Sequence, residues 1–403
     1  MTTKPPMIVT LPQDEHLRWP AFRTEDEQAV LRVMRDGNVS THPVIQELED
    51  DFRALTGSRH ALAHCNGTSA LMAAFHSLDL RPGDEVLVPS ATFWASVLPM
   101  IWCGLVPVFC ESEPETLGLD PVDAARRITP RTKAIVIVHL WGLPCKVAEL
   151  KALAKAHDLR IIEDASHAHG ASQDGVPCGR MGDVSVFSLQ GDKLVPAGEG
   201  GVLMTDDDAI YDRALRMGDI TRIIRMPTAD RRFAATSFGI KTRIAPMSAA
   251  LGKSMLARLP ETNSVRYHHH ARLAATLEEL GFECFLPRKG VERVWFEFII
   301  RHRTENMDTG ALVEWLKQAG CRVGVPRYPL LHQQPYFTEG HWRAAGRYPE
   351  TLTLPASDEI SLPFTERMNR TLLRLPNFNH PDAGALVDQY AEAFRQAVRA
   401  LDS

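Results

Sequence analysis

The chain has 403 residues, 44% of them hydrophobic, and a formal net charge of −5. This is enough for a large core and more than one domain, and the mild negative charge gives no support for a nucleic-acid partner. Seven scattered cysteines without a Cys-x-x-Cys pair exclude a disulfide or metal framework and predict reduced thiols in a cytoplasmic protein.

Met1–Arg18 has no apolar core of the signal-peptide type, and residues 1–19 are expected to be extended. Apolar residues at helical spacing predict helices over Thr24–Asp36 and Val44–Leu55. From Ala61 to Thr205, β-rich runs alternate with helical stretches. The runs are Glu85–Pro89, Val106–Phe109, Ala134–Val138, Arg160–Glu163, Val184–Phe187 and Gly201–Thr205, with helices such as Thr68–Leu78 and Lys146–His157 between them. That alternation predicts an α/β domain with a largely parallel sheet, which binds ligands at the carboxyl ends of its strands. Ala95–Cys110 is apolar but short and interrupted by Pro99 and Pro107, so it reads as a buried helix turning into a strand, not a membrane span. Helices are expected over Arg243–Leu259, closed by Pro260, and over Thr262–Leu280. Val294–Ile300 alternates like an antiparallel strand, and helices follow over Gly310–Ala319 and Ala385–Ala400. The expected division is a large domain over 20–260 and a smaller α+β domain over 261–403.

Two chemical groups stand at strand ends. Lys193 follows the apolar run Asp183–Leu189 and precedes the cluster Gly198-Glu-Gly-Gly201, while Leu159–Asp164 ends in an acid. An amine and a carboxylate so placed are what a pyridoxal phosphate (PLP) site requires: the amine forms a Schiff base and the acid faces the pyridine nitrogen. A carboxylate at about 4 Å from a pyridinium is worth roughly 4 kcal/mol at an effective dielectric near 20, or about three pKa units favouring the protonated ring. Taken alone, Asp164 reads first as the cap of a following helix. Asn66-Gly-Thr-Ser69 before an apolar helix offers N–H groups and a favourable dipole to a phosphate, as well as an ordinary helix cap, and Ser188 could add a hydroxyl. Phe93 or Trp94 could stack on a pyridine ring, and one of the two is expected in the core.

Gly67-Thr-Ser69, Thr92-Phe93, Glu163-Asp-Ala165, Ala168-His-Gly-Ala171, Phe187-Ser188, Lys193 and Gly198-Glu-Gly-Gly201 occur in the order and spacing of the DegT/DnrJ/EryC1/StrS aminotransferases. The chain resembles that family from about Trp19 to about residue 270, and more weakly beyond. The resemblance implies PLP fold type I, with a large mostly parallel-sheet domain and a smaller α+β domain, built as a homodimer with shared active sites. It implies that Lys193 holds the cofactor and shuttles the proton, Asp164 faces the ring nitrogen, Phe93 stacks, and Gly67, Thr68, Ser69 and Ser188 hold the phosphate. His167 stands where many relatives carry Gln against the ring hydroxyl, and it titrates near neutral pH. Lys241 stands where many carry an Asn that reaches the partner subunit's phosphate. It would place a point charge there, or it is a solvated interface lysine.

The implied activity moves an amino group from L-glutamate or L-glutamine, through pyridoxamine phosphate, to a nucleotide-linked keto sugar or a keto-cyclitol. Such reactions serve secondary-metabolite or cell-surface sugar biosynthesis. Leu117–Asp120 and His139–Gly142 resemble the branch acting on cyclitols and aminoshikimate-type rings. Candidate substrate contacts are Tyr328, His332, Arg222 and Arg225, with Asp219–Thr236 as a loop over the site or a solvated charged loop. Other readings stay open. The first is a sugar dehydratase, although that branch replaces the lysine with histidine, and the second is a non-catalytic PLP-binding regulator. A nicotinamide dehydrogenase lacks its Gly-x-Gly-x-x-Gly here. No metal is expected.

Overall fold

The computed structural model describes residues 5–303, 307–346, 348, 352 and 360–401. Its thirteen strands, in chain order, are β1 (His60–His64), β2 (Glu85–Pro89), β3 (Val106–Cys110), β4 (Thr132–Val138), β5 (Arg160–Asp164), β6 (Ser172–Gln173), β7 (Val176–Pro177), β8 (Val184–Ser188), β9 (Gly201–Thr205), β10 (Phe282–Glu283), β11 (Val291–Glu292), β12 (Phe298–His302) and β13 (Leu372–Leu375). Seven of them form one sheet in the order β1-β9-β8-β5-β4-β2-β3. The pairs β2–β3, β2–β4, β4–β5 and β5–β8 are parallel, whereas β9 runs antiparallel to both β8 and β1. β2, β8 and β9 are buried at every position. In the parallel strands β2 and β4 this burial goes with nearly unbroken Val/Ile/Leu runs, because a parallel sheet covered on both faces leaves no polar side.

The helix Gly67–Ser77 lies against β8 and β9. Leu98–Trp102 is a short helix leading through Gly104 into β3, so the apolar stretch 95–110 turns from helix to strand as its prolines predict. No helix among the described residues is long and apolar enough to cross a membrane.

Beyond residue 258 the pattern departs from expectation in several places. Pro260 sits in the first turn of a 21-residue helix, Leu259–Glu279, where its missing N–H costs nothing; it opens that helix as well as closing the previous one, Pro246–Ala257. The strand expected over Val294–Ile300 begins only at Phe298. Val294 and Phe296 instead donate their N–H groups to the carbonyls of Gly142 and Trp141, which fastens this segment beside the large sheet. Phe296, Leu331, Phe337 and Trp342 join the core around that sheet, while Trp295, Phe298, Leu312, Trp315, Phe378 and Phe394 form a second core with β10, β12 and β13. The N-terminal segment, expected to be extended, carries a helical turn at Asp14–Leu17. Upstream of that turn, the Ile8 and Val9 N–H groups bond to the carbonyl of Ala319.

Candidate active site

The carboxyl ends of β5 and β8, the start of the helix Gly67–Ser77 and the segment 327–337 enclose a cavity of about 950 Å³. Lys193, Asp164, Gly67, Thr68, Phe93, His167, Ser188 and Tyr328 all line it.

Lys193 sits in a turn that the backbone over-determines. Its N–H donates to Gln190 O (2.8 Å), its carbonyl accepts from Trp19 Nε1 (3.0 Å), and Ala197 N–H closes on Leu189 O (2.8 Å). The side chain is 7% exposed, with Nζ 4.4 Å from the centroid of the Phe296 ring. Burial, with the Asp164 charge opposing it and Arg327 adding to it, lowers the amine from 10.5 to about 8. About a tenth is therefore the free base at pH 7, far more than for an ordinary lysine, as a nucleophile requires.

Asp164 ends β5 facing the same cavity. Ser96 Oγ–H donates to its Oδ2 (2.6 Å) and Ser166 N–H to its Oδ1 (3.0 Å). No helix follows directly, so Asp164 caps a turn rather than a helix.

The helix Gly67–Ser77 presents its first N–H groups to the cavity. Asn66 Oδ1 takes the Ser69 N–H (2.8 Å) and Asn66 O that of Ala70 (3.1 Å), so Gly67 and Thr68 are the N–H groups left for an anion. The chain needs glycine here, because a Cβ at Gly67 would lie 2.8 Å from Ser188 Cβ and 3.0 Å from its Oγ. Ser188 Oγ and the helix start are thereby brought to one point. Ser69, expected to join them, does not line the cavity: its N–H is consumed by the cap. Asn66 and Gln190, which sequence reasoning passed over, do line it.

Phe93 and Trp94 both line the cavity and are 38% and 43% exposed, so neither enters the core as expected. Phe93 is tilted against Tyr328 at a centroid distance of 5.6 Å. His167 differs most from its expected behaviour. It is buried in a stack with Phe296 (4.1 Å), Trp141 (5.7 Å) and Tyr328 (5.8 Å). Burial, followed by the charges of Lys193 and Arg327, pushes its pKa well below the ordinary value, so it does not titrate near neutral pH. Trp141 N–H donates to its Nδ1 (3.4 Å), which leaves the ring proton on Nε2, 3.3 Å from Tyr328 Oη.

Three of the four expected substrate contacts stand apart from the cavity, as does Lys241, which was expected at the partner subunit's phosphate. His332 is 2% exposed and faces away, between Ser90 Oγ (2.7 Å) and Glu366 (3.1 Å). Arg222 is tied to buried Glu49 (2.9 Å) and to Asp219 (3.3 Å), a structural ion pair in place of a substrate contact. Arg225 and Lys241 are exposed. Asp219–Thr236, expected as a loop, contains the helical turns Ile220–Ile223 and Ala229–Phe233.

The profile of the DegT/DnrJ/EryC1/StrS aminotransferase family matches residues 20–373. The chain belongs to that family. Among solved structures it is similar to an aminotransferase from Psychrobacter cryohalolentis (26% identity, TM-score 0.84, 96% of this chain and 99% of that one). It is similar to 3-amino-5-hydroxybenzoic acid synthase (27%, 0.81, 95% and 98%) and to S. venezuelae DesV in complex with a ketimine intermediate (30%, 0.78, 93% and 95%). The fold alone is shared with E coli GDP-4-keto-6-deoxy-D-mannose-3-dehydratase, 21% identical with a TM-score of 0.80. The large mostly parallel sheet is that of PLP fold type I, and the chain is a PLP-dependent aminotransferase. The residues present fit the cofactor: a buried amine near its free-base range, a carboxylate held by two donors, and a helix start that admits no Cβ beside a serine hydroxyl.

Proposed function

We propose that the enzyme transfers the amino group of L-glutamate or L-glutamine to a keto sugar or keto-cyclitol. The observation that carries this reading is Lys193, a buried amine lowered to about 8 that shares one cavity with the strand-end carboxylate of Asp164. PLP, when bound, supplies an aldehyde for the amine and a ring that withdraws charge from the reacting carbon. Lys193 Nζ holds the cofactor and, once displaced, takes the proton from the donor's α-carbon and returns it one position away. Asp164, its oxygens oriented by Ser96 and Ser166, keeps the proton on the ring nitrogen. Gly67 and Thr68 N–H with Ser188 Oγ hold the phosphate, and Phe93 covers the ring face. His167 Nε2–H is a neutral donor beside Tyr328.

We further infer a homodimer acting in the cytoplasm. Exposed Phe238 and Ile240 precede exposed Lys241, which fits a surface that places the partner subunit's Lys241 near the phosphate. All seven cysteines are free, as a reducing compartment would keep them. The test is spectroscopic. L-glutamate or L-glutamine should convert the PLP form to the pyridoxamine form, and a keto sugar or keto-cyclitol should reverse it. An enzyme that binds PLP yet shows no conversion with either donor overturns the transamination reading in favour of dehydration or regulation.

A further inference from the structure

Arg327 lies beside the groups that would hold the cofactor without being one of them. Its guanidinium lines the cavity and is held from two sides. From behind, Nε meets the carboxylate of Glu297, which is 2% exposed. The other cation within reach of Glu297 among the described residues is Arg374, at 3.7 Å. Burial pushes Glu297 upward, and Arg327 is the main charge holding it down. From the front, Arg327 Nη1 donates to Asp192 Oδ2 at 3.1 Å, and that carboxylate is 55% exposed. The inner partner is therefore fixed. The outer one is an exposed ion pair, of the kind worth about 1 kcal/mol or less, and is exchangeable.

The position suits a substrate that also reaches Lys193. Phe296 carries both cations on its ring, Lys193 Nζ at 4.4 Å and the Arg327 guanidinium carbon at 5.7 Å from the centroid, so they lie within about 10 Å of each other. Lys193 and Arg327 are the lysine and arginine among the described lining residues, against the acids Asp164, Asp192 and Glu199. One fork-shaped cation among acids matches a single carboxylate. A nucleoside diphosphate, with two or more charges, would meet more repulsion than attraction at this point.

We propose that Arg327 is the anchor for the amino donor's carboxylate, with Asp192 the counter-ion displaced on entry and Glu297 the residue that positions the guanidinium. Asp192 already occupies the front of Arg327 with the group that the donor would present. The proposal rests on the transamination reading for the identity of the donor, but the carboxylate site itself is independent of the reaction.

The test uses the holoenzyme, its Arg327→Lys and Asp192→Asn variants, and two readouts. In the donor half-reaction, Arg327→Lys should raise the KM for L-glutamate and L-glutamine about tenfold through loss of the planar fork. Asp192→Asn should lower it severalfold, the opposite direction, with the KM for the keto substrate unmoved by either. In calorimetric titration, glutarate should bind the wild type, more weakly to Arg327→Lys and more tightly to Asp192→Asn, while glutaramide should bind none of them differently. Asp192 is exposed, so its variant keeps the test decisive if Arg327→Lys folds poorly. Glutarate that does not bind, or binds wild type and Asp192→Asn alike, overturns the anchor. Glutarate binding that shifts as stated in an enzyme that no amino donor converts overturns the transamination reading and leaves the anchor standing.

Discussion

Glu163 and Asp164 are adjacent acids at the end of one strand, and their surroundings are opposite. The Glu163 carboxylate is fully buried and accepts from Gly179 N–H (2.6 Å), Met181 N–H (2.7 Å), Gly182 N–H (3.1 Å), Ser185 Oγ–H (2.6 Å) and His139 Nε2 (3.0 Å). Burial pushes its pKa up, yet the bonds from His139, Ser185 and Gly179 hold it below the ordinary value. Cys145 N–H donates to His139 Nδ1 (3.2 Å), which puts the ring proton on the nitrogen facing Glu163. His139, Glu163 and Cys178 are close enough to suggest a metal site, but a carboxylate with five donors is already satisfied. Asp164 has two donors and an open side toward the cavity. Strand alternation sends neighbours to opposite faces, so one acid stitches the loop 179–185 to the sheet and the other serves the site.

Substitutions should separate the two faces. On the cavity side, Lys193→Ala should lower turnover by about 10⁴-fold or more while urea unfolding shows no loss of stability; measurable turnover within tenfold of wild type would remove the lysine from its role. Asp164→Asn keeps the shape and loses the charge that holds the ring proton, worth roughly 4 kcal/mol, so the half-reaction should slow about 10³-fold with stability little changed. On the other face, Glu163→Gln should cost roughly 3 kcal/mol of stability and leave the activity of folded enzyme within a few-fold. If Glu163→Gln lost activity without stability, the two faces would not be distinct.

The buried amine gives the comparison a pH dependence. The folded-state pKa of Lys193 is lowered from 10.5 to about 8, so its charged form is disfavoured by folding. The sign follows: the penalty is fully present below pH 8, is relieved as pH rises from 8 toward 10.5, and is absent above. Lys193→Met should therefore stabilise the apoprotein by roughly 3 kcal/mol at pH 7, with the gain fading between pH 8 and 10.5. Glu163→Gln should show no such fading. A gain for Lys193→Met that is flat across this range would mean the amine is not desolvated.

Much of this was legible in the sequence where a local rule decides it. The Val/Ile-rich runs bounded by acids or glycine mark the buried strands, and the residues at their ends, Asp164 and Ser188, face the ligand by topology. The Asn before Gly67-Thr-Ser69 is a helix-cap signal, and the cap it makes takes the Ser69 N–H, against the assignment of Ser69 to the phosphate. What could not be read depends on distant partners. Arg222 reads as available in the sequence, but buried Glu49, far away in the chain, pairs with it. Tyr328 and His332 lie on one segment, but the turn Leu331–Gln333 sends the histidine to Ser90 and leaves the tyrosine at the cavity. Arg327 and Ser96 carry no local signal at all, because their meaning comes from Glu297 and Asp164 across the fold.

Ser96 offers the smallest and most selective probe. It sits in the turn Trp94–Ser96 beside the exposed aromatic pair, fully buried, with Thr92 Oγ1 at 2.9 Å and Asp164 Oδ2 at 2.6 Å. A hydrogen bond to a charged group is worth about 1.5–3 kcal/mol, but Ser166 N–H still orients the other oxygen, so the Asp164 carboxylate should stay in place and be somewhat misdirected. Ser96→Ala should lower kcat of the half-reaction about tenfold with KM for the donor unchanged, and Ser96→Thr should restore part of it. In Asp164→Asn, which has no carboxylate left to aim, Ser96→Ala should add little. A full tenfold further loss in the double variant would mean that Ser96 acts on the turn and not through Asp164.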